Sequence, residues 1–259
     1  MEIALGFIIA IFIALTGVGA GSMTTPLLIL LIGMPTRQAV GTALIFGAAV
    51  KILTTPMYIA RRQVNWRAFG FLLATGLPGV LIGTLVLQGF KSDLLTAFVG
   101  FTIVSIATLN LFRFSSITRH DRTPWLAAVA LPIGIEVGFS SAGAGALGAL
   151  CLMNMTTMVP AAVVGTDLSF GLVLSTVGGG IHAALGDLNT PVLIKLLIGG
   201  AAGALTGGAL ANRLPSQKLR LALSVALVLL GANLCWRGLS DYWKTQVQEP
   251  QAQELTVKK

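Results

Sequence analysis

Two short runs of glycine and hydroxyl residues interrupt otherwise apolar sequence: Thr16-Gly17-Val18-Gly19-Ala20-Gly21-Ser22 and Ser140-Ser141-Ala142-Gly143-Ala144-Gly145. Glycine weakens a helix, and backbone opened in an apolar setting presents amide N–H groups and helix N-termini that suit an anion. The residues expected to line such a site are Gly17, Gly19, Gly21 and Ser22 in the first run and Ser140, Ser141, Gly143 and Gly145 in the second. Neither run is a nucleotide loop, because no strand precedes it and no Gly-Lys-Ser/Thr follows. Close helix packing is the other use of such glycines, and it suits Gly79, Gly83, Gly199, Gly203 and Gly207 better.

Four ionisable residues fall within apolar stretches, where charge is costly and marks function by default: Lys51, Glu136, Asp167 and His182. Lys51 can attract an anion or pair with Asp167 or Glu136, and these two carboxylates are the proton-coupling candidates. His182, close to a helix end, reads as an interfacial histidine. Thr42 and Thr166, each in a Val-Gly-Thr motif, can turn a hydroxyl to a shared cavity or bond back to their own helix. Arg37 reads either as an entry residue for anions or as a snorkelling arginine. Cys151 and Cys235 stand far apart and form no ligand spacing. No metal or cofactor is therefore expected, and no nucleophile–base constellation points to an enzyme.

These residues sit in a chain that is 55% hydrophobic and only 10% charged, with a mean hydropathy of +0.87. That composition predicts an all-α polytopic membrane protein. Uninterrupted apolar runs long enough to cross a bilayer lie near Gln38–Ala60, Ala68–Gln88, Leu94–Phe112, Pro160–Ala184, Pro191–Ala211 and Leu219–Trp236, while Ile3–Ile32 and Trp125–Met153 are broken by glycine. The N-terminal run lacks a basic flank and reads as part of the fold, not as a signal peptide. Tyr58, Trp66, Trp125, Trp236 and Trp243 read as belt aromatics. The net charge of +8 gathers in short loops beside lipid, which argues against nucleic acid.

The second half repeats the first. Val40-Gly41-Thr42-Ala43-Leu44 returns as Val164-Gly165-Thr166-Asp167-Leu168, 124 positions on, and the same shift pairs Gly19 with Gly143, Asn65 with Asn189, Gly76, Gly79 and Gly83 with Gly200, Gly203 and Gly207, Ser92 with Ser216, and Arg113 with Arg237. The chain divides into a first membrane repeat (1–113), a basic connecting loop (114–124), a second repeat (125–239) and a polar tail (240–259) expected to be disordered. Each repeat holds four elements, the first of them glycine-broken. Duplication inside an apolar chain points to a transporter.

Loop charges bear on orientation. Arg61, Arg62 and Arg67 make the loop after the second element basic in repeat one, whereas in repeat two the basic loop is the next one, with Arg213, Lys218 and Arg220. Inverting one repeat gathers these residues on the cytoplasmic side. Inversion needs an odd number of crossings per repeat, which is met if the broken first element is re-entrant. Eight crossings with parallel repeats is the alternative, and the loop-by-loop reversal favours inversion.

The broken first element, the Pro-containing turn and the Ala39-Val40-Gly41-Thr42-Ala43-Leu44 helix start, with its copy Val163-Val164-Gly165-Thr166-Asp167-Leu168, resemble the TauE/SafE sulfite exporter family over nearly the whole chain. The resemblance implies a multi-pass permease of the bacterial or archaeal inner membrane that moves small sulfur-containing or organic anions such as sulfite, sulfoacetate, other sulfonates or thiosulfate. Ala43 departs from the family pattern, in which a hydroxyl is common there, so Thr42 and Ala43 are not a polar pair. The expected partners are a small anion and the lipid bilayer, with a homo-oligomer left open. Proton-coupled export leads, against an uptake permease and a non-transporting assembly protein. Cysteines introduced at Gln63 and Ser216 should be shielded from an impermeant thiol reagent outside intact cells while one at Asp187 reacts; labelling of Gln63 and Asp187 from one side would overturn the inversion.

Overall fold

The computed structural model describes residues 1–16, 19–90, 92–112, 122–210 and 216–257. Gly17 and most of the 114–124 loop lie outside these residues. The described residues form ten α-helices and one 3-10 turn, Thr123–Trp125. In the first half these are α1 (Glu2–Thr16), α2 (Ala20–Ile32), α3 (Thr36–Ala60), α4 (Trp66–Gly89) and α5 (Ser92–Phe112). In the second they are α6 (Leu126–Ser140), α7 (Gly143–Met155), α8 (Pro160–Ala184), α9 (Thr190–Leu210) and α10 (Ser216–Val257). Each glycine-broken element thus resolves into two short helices. Among the described residues five segments are long and apolar enough to cross a membrane: Thr36–Ala60, Trp66–Gly89, Thr123–Ser140, Pro160–Ala184 and Thr190–Gly207.

Equivalent sequences make equivalent local structure. Asn65 caps α4 by accepting from the Ala68 amide at 3.1 Å, and Asn189 caps α9 through the Val192 amide at 3.2 Å, which satisfies a helix-start N–H that would otherwise lack a partner. The preceding turns match as well: the Gln63 amide donates to the Tyr58 carbonyl and the Asp187 amide to the His182 carbonyl, both at 2.9 Å. Residue 62 is left-handed in the first turn and residue 186 in the second, and only the second has glycine for it.

The halves pack by exchange. α1 lies on α9, and α6 lies on α4. Ile3, Phe7 and Ile11 meet Gly199, Gly203 and Gly207 in that order, as Leu131 and Ile135 meet Gly79 and Gly83, so these pairs run parallel. A Cβ at Gly79 or Gly203 would strike the carbonyl of Leu131 or Phe7; the glycines let backbones touch. α3 packs on its own equivalent α8, and α5 on α10. Here the order reverses: Leu44 meets Gly178 and Tyr58 meets Gly165, while Ala97 meets Gly238 and Val104 meets Gly231. Equivalent helices are therefore antiparallel. The fully buried rings of Phe46 and Phe170 fill the space left by Gly200 and Gly76.

α6 and α7 form a hairpin whose ends meet, for the Arg122 amide, just ahead of α6, donates to the carbonyl of Met155, the last residue of α7, at 2.8 Å. At the bend Ser141 is left-handed, with φ of 66°. Residues 240–257, expected as a disordered tail, continue α10 as helix, in keeping with their content of Gln, Glu, Leu and Lys. Gly79→Val and Gly203→Val should each destabilise the detergent-extracted protein by about 1–3 kcal/mol, read as a lowered unfolding temperature, with Gly70→Val, where a Cβ meets nothing within 4 Å, as the control.

Candidate functional site

The antiparallel crossing of α3 and α8 places Lys51 against Ser175, its own equivalent in the other half, with Nζ donating to Oγ at 3.0 Å. A residue that meets its own equivalent lies on the approximate two-fold axis. Lys51 is only 2% exposed, and the charge of Asp167 reaches it from α8. One turn further along α3, the Thr55 hydroxyl is buried with no partner among the described residues. Asp167 lies against α7, where a Cβ on Gly148 would collide with its Oδ1. Thus the equivalent pair in the first half, Ala43 and Thr24, exchanges which helix carries the bulk.

The two glycine breaks come together beside this crossing. A Cβ on Gly21 would strike the Ser141 carbonyl, and Thr25 and Ser141 share a hydroxyl–hydroxyl bond of 2.6 Å. Gly19 precedes α2 and accepts the Ser22 hydroxyl at 2.7 Å. Ala20 packs on Gly47 of α3, one turn before Lys51. In the second break Gly145 has φ of 105°, the Ser140 hydroxyl donates to Glu136, and the Ala142 amide donates to the Ser140 hydroxyl at 3.2 Å. The stem of Glu136 lies on Gly143. The site thus gathers an ammonium group and buried hydroxyls, donors of the kind an oxyanion needs.

Thr42 and Thr166 serve the two turns. The Asn189 amide donates to Thr42 Oγ1 at 3.2 Å and the Asn65 amide to Thr166 Oγ1 at 2.9 Å, so each threonine clasps the turn of the other half, at opposite ends of the crossing. His182, expected at an interface, is 0% exposed. It belongs to a polar chain of Arg37, Gln88, Asp187, His182 and the Gly138 carbonyl. Arg37 and His182 stand out in the sequence, whereas Ser175, Thr55 and the bonds that join this chain do not. The repeat shift finds Ser175, 124 positions after Lys51, and helical spacing puts Thr55 one turn from it; the bonds that join the chain carry no sequence signal. Among the described residues no group of three or more His, Cys, Asp or Glu side chains could hold a metal ion.

The family model described as Sulfite exporter TauE/SafE matches residues 2–234. Among curated relatives, the probable membrane transporter protein YjnA of Bacillus subtilis (strain 168) is 24% identical over 90% of this chain and 98% of its own length. The probable membrane transporter protein YunE of the same organism is 22% identical over 92% and 97%, and one from Xylella fastidiosa (strain Temecula1 / ATCC 700964) is 24% identical over 92% and 95%. No solved structure matches with significance. Thr166→Val should cost roughly 1 kcal/mol and speed hydrogen exchange at the Asn65 amide while leaving the Asn189 amide unchanged; equal protection of the Asn65 amide in both proteins would show that the clasp does not hold the turn.

Proposed function

The chain belongs to the TauE/SafE sulfite exporter family, and from that premise we propose that it is a secondary transporter exporting a small sulfur-containing or organic anion such as sulfite, sulfoacetate or another sulfonate. The observation that carries this reading is the buried Lys51, held by one hydroxyl on the symmetry axis beside the junction of the two breaks. A buried ammonium group with few fixed partners is costly unless an anion completes its shell. Substrate contacts are assigned to Lys51, to Gly17, Gly19, Gly21 and Ser22, and to Ser140, Ser141, Gly143 and Gly145, with Thr42 and Thr166 holding the flanking turns. Asp167, within electrostatic reach of Lys51, and Glu136, bonded to Ser140 at the second break, are the carboxylates proposed to couple transport to protons.

In the membrane, α3, α4, α5, α8, α9 and α10 are proposed to cross, and the α1–α2 and α6–α7 pairs to enter and return, α6 turning back at Ser141 so that Met155 meets Arg122 even though Thr123–Ser140 is long enough to cross. Three crossings per half give inverted repeats, a reading supported by the antiparallel course of α3 and α8 and by the basic loops. Irregular backbone at membrane depth is tolerated where protein covers it, and Gly19, Ser140, Ser141 and Ala142 are all buried. Uptake of a similar anion would use the same residues under the opposite gradient.

Inverted vesicles containing the protein should accumulate labelled sulfite or sulfoacetate above empty vesicles; no gain across a panel of small anions would sink the reading. Lys51→Met should raise the half-saturating anion concentration roughly tenfold, and Asp167→Asn should blunt the response of flux to a pH gradient. If Lys51 and Asp167 are instead a structural pair, each change strands a buried charge, and the double variant recovers stability that the single ones lose.

A further inference from the structure

The two ends of the α3–α8 crossing share one backbone design and differ in chemistry. At one end the turn is built on Tyr58 and Gln63; at the other the same positions are His182 and Asp187, with the same amide-to-carbonyl bond between them. The turn therefore needs neither an imidazole nor a carboxylate to form.

Both nitrogens of the His182 ring face acceptors. Nδ1 lies 3.2 Å from Asp187 Oδ2 and Nε2 lies 3.4 Å from the Gly138 carbonyl. A carboxylate and a carbonyl only accept, and a neutral imidazole has a single N–H, so only the doubly protonated ring can donate to both. Asp187 is fixed in place. Arg37 donates to Gln88 Oε1 at 3.3 Å, which turns the Gln88 amide nitrogen to Asp187 Oδ2. Arg37 itself is anchored on the Gln88 and Phe90 carbonyls at 3.0 and 2.8 Å.

The surroundings contain few other charges. Asp187 comes from the α8–α9 turn, α3 supplies Arg37 at this end and Lys51 at the crossing, and α6 supplies Glu136, bonded to Ser140. The α4 groups nearby, Gln88 and the buried Thr84 beside Gly138, do not titrate, and Lys195 of α9 pairs with Glu2. The His182 side chain is 0% exposed and that of Asp187 is 15% exposed, so of the two it is Asp187 that meets water.

Gly138 lies two residues before Ser140, where α6 ends at the bend that meets Thr25. We propose that His182 and Asp187 form a proton-binding latch on the second hairpin. A proton taken from water at the α8–α9 turn passes by Asp187 to the ring, whose second N–H then ties the end of α6 to α8. Its return to water unties the Gly138 carbonyl and frees the bend. The inference deepens the transporter reading and rests on it, since it makes the second break open or close with the pH at one face only.

The chain has two histidines, so nitrogen-15 NMR of the histidine-labelled His120→Gln protein reads the His182 ring directly and needs no substrate. The ring nitrogens should pass between the doubly and singly protonated forms as the pH is varied; one unchanged form at every pH at which the protein stays folded would overturn the latch. The second measurement is labelled sulfoacetate flux in vesicles, with pH varied only on the face bearing the α8–α9 turn. The double variant His182→Tyr/Asp187→Gln copies the residues of the other end. Its flux ratio between the two pH values should fall several-fold below that of the unaltered chain, keeping only the part set by coupling through Asp167 and Glu136, and an equal ratio in both would also overturn the latch. If neither protein moves sulfoacetate, the transport reading fails for that anion, and the ring protonation still decides the proton site.

Discussion

Helices surrounded by hydrocarbon gain little by burying one apolar side chain against another, so their association depends on how closely their backbones can approach. In this protein that approach is made where α1 meets α9 and α6 meets α4, along glycines that leave no room for a Cβ. Because each seam joins a helix of one half to a helix of the other, neither half can satisfy its glycine face alone. The crossing of α3 and α8 and the meeting of the two breaks both follow from this exchange. A duplicated sequence thus becomes one interlocked body.

Duplication also imposes a chemical constraint at the axis. A position that meets its own equivalent would bring two like residues together, and two lysines there would repel in a low-dielectric setting. Divergence of the copies resolves this, since Lys51 faces Ser175. The copies also differ away from the axis: Asp167 takes room that Gly148 leaves free, while the corresponding first-half positions are Ala43 and Thr24. The near-symmetric frame therefore holds an asymmetric set of charges, and a single ammonium group marks the middle.

The ends of the crossing diverge in the same manner. Thr42 and Thr166 clasp the opposite turns by matching bonds, so the mechanical task is shared between the halves. Titratable chemistry is not shared: His182 and Asp187 stand where Tyr58 and Gln63 stand at the other end. A transporter built from two related halves must still distinguish its two faces, and residues at such divergent positions are where that distinction can reside.

The apolar runs, the unbroken shift of 124 positions and the glycine breaks were written in the sequence, because hydropathy and register are local or periodic properties. They determined the all-helical class, the repeat, the family resemblance, the packing role of Gly79, Gly83, Gly203 and Gly207, and the prominence of Lys51 and Asp167. The partners of those residues were not legible. Ser175 is an ordinary hydroxyl until the antiparallel crossing puts it beside Lys51, and Thr42 looks like a cavity residue until the other half's turn arrives on it. His182 sits two residues from a helix end, which by position alone suggests an interface. It is buried because the α8–α9 turn folds back over it and the end of α6 closes the other side. Burial and hydrogen-bond partnership depend on distances between segments far apart in the chain, and only the tertiary structure brings those segments together.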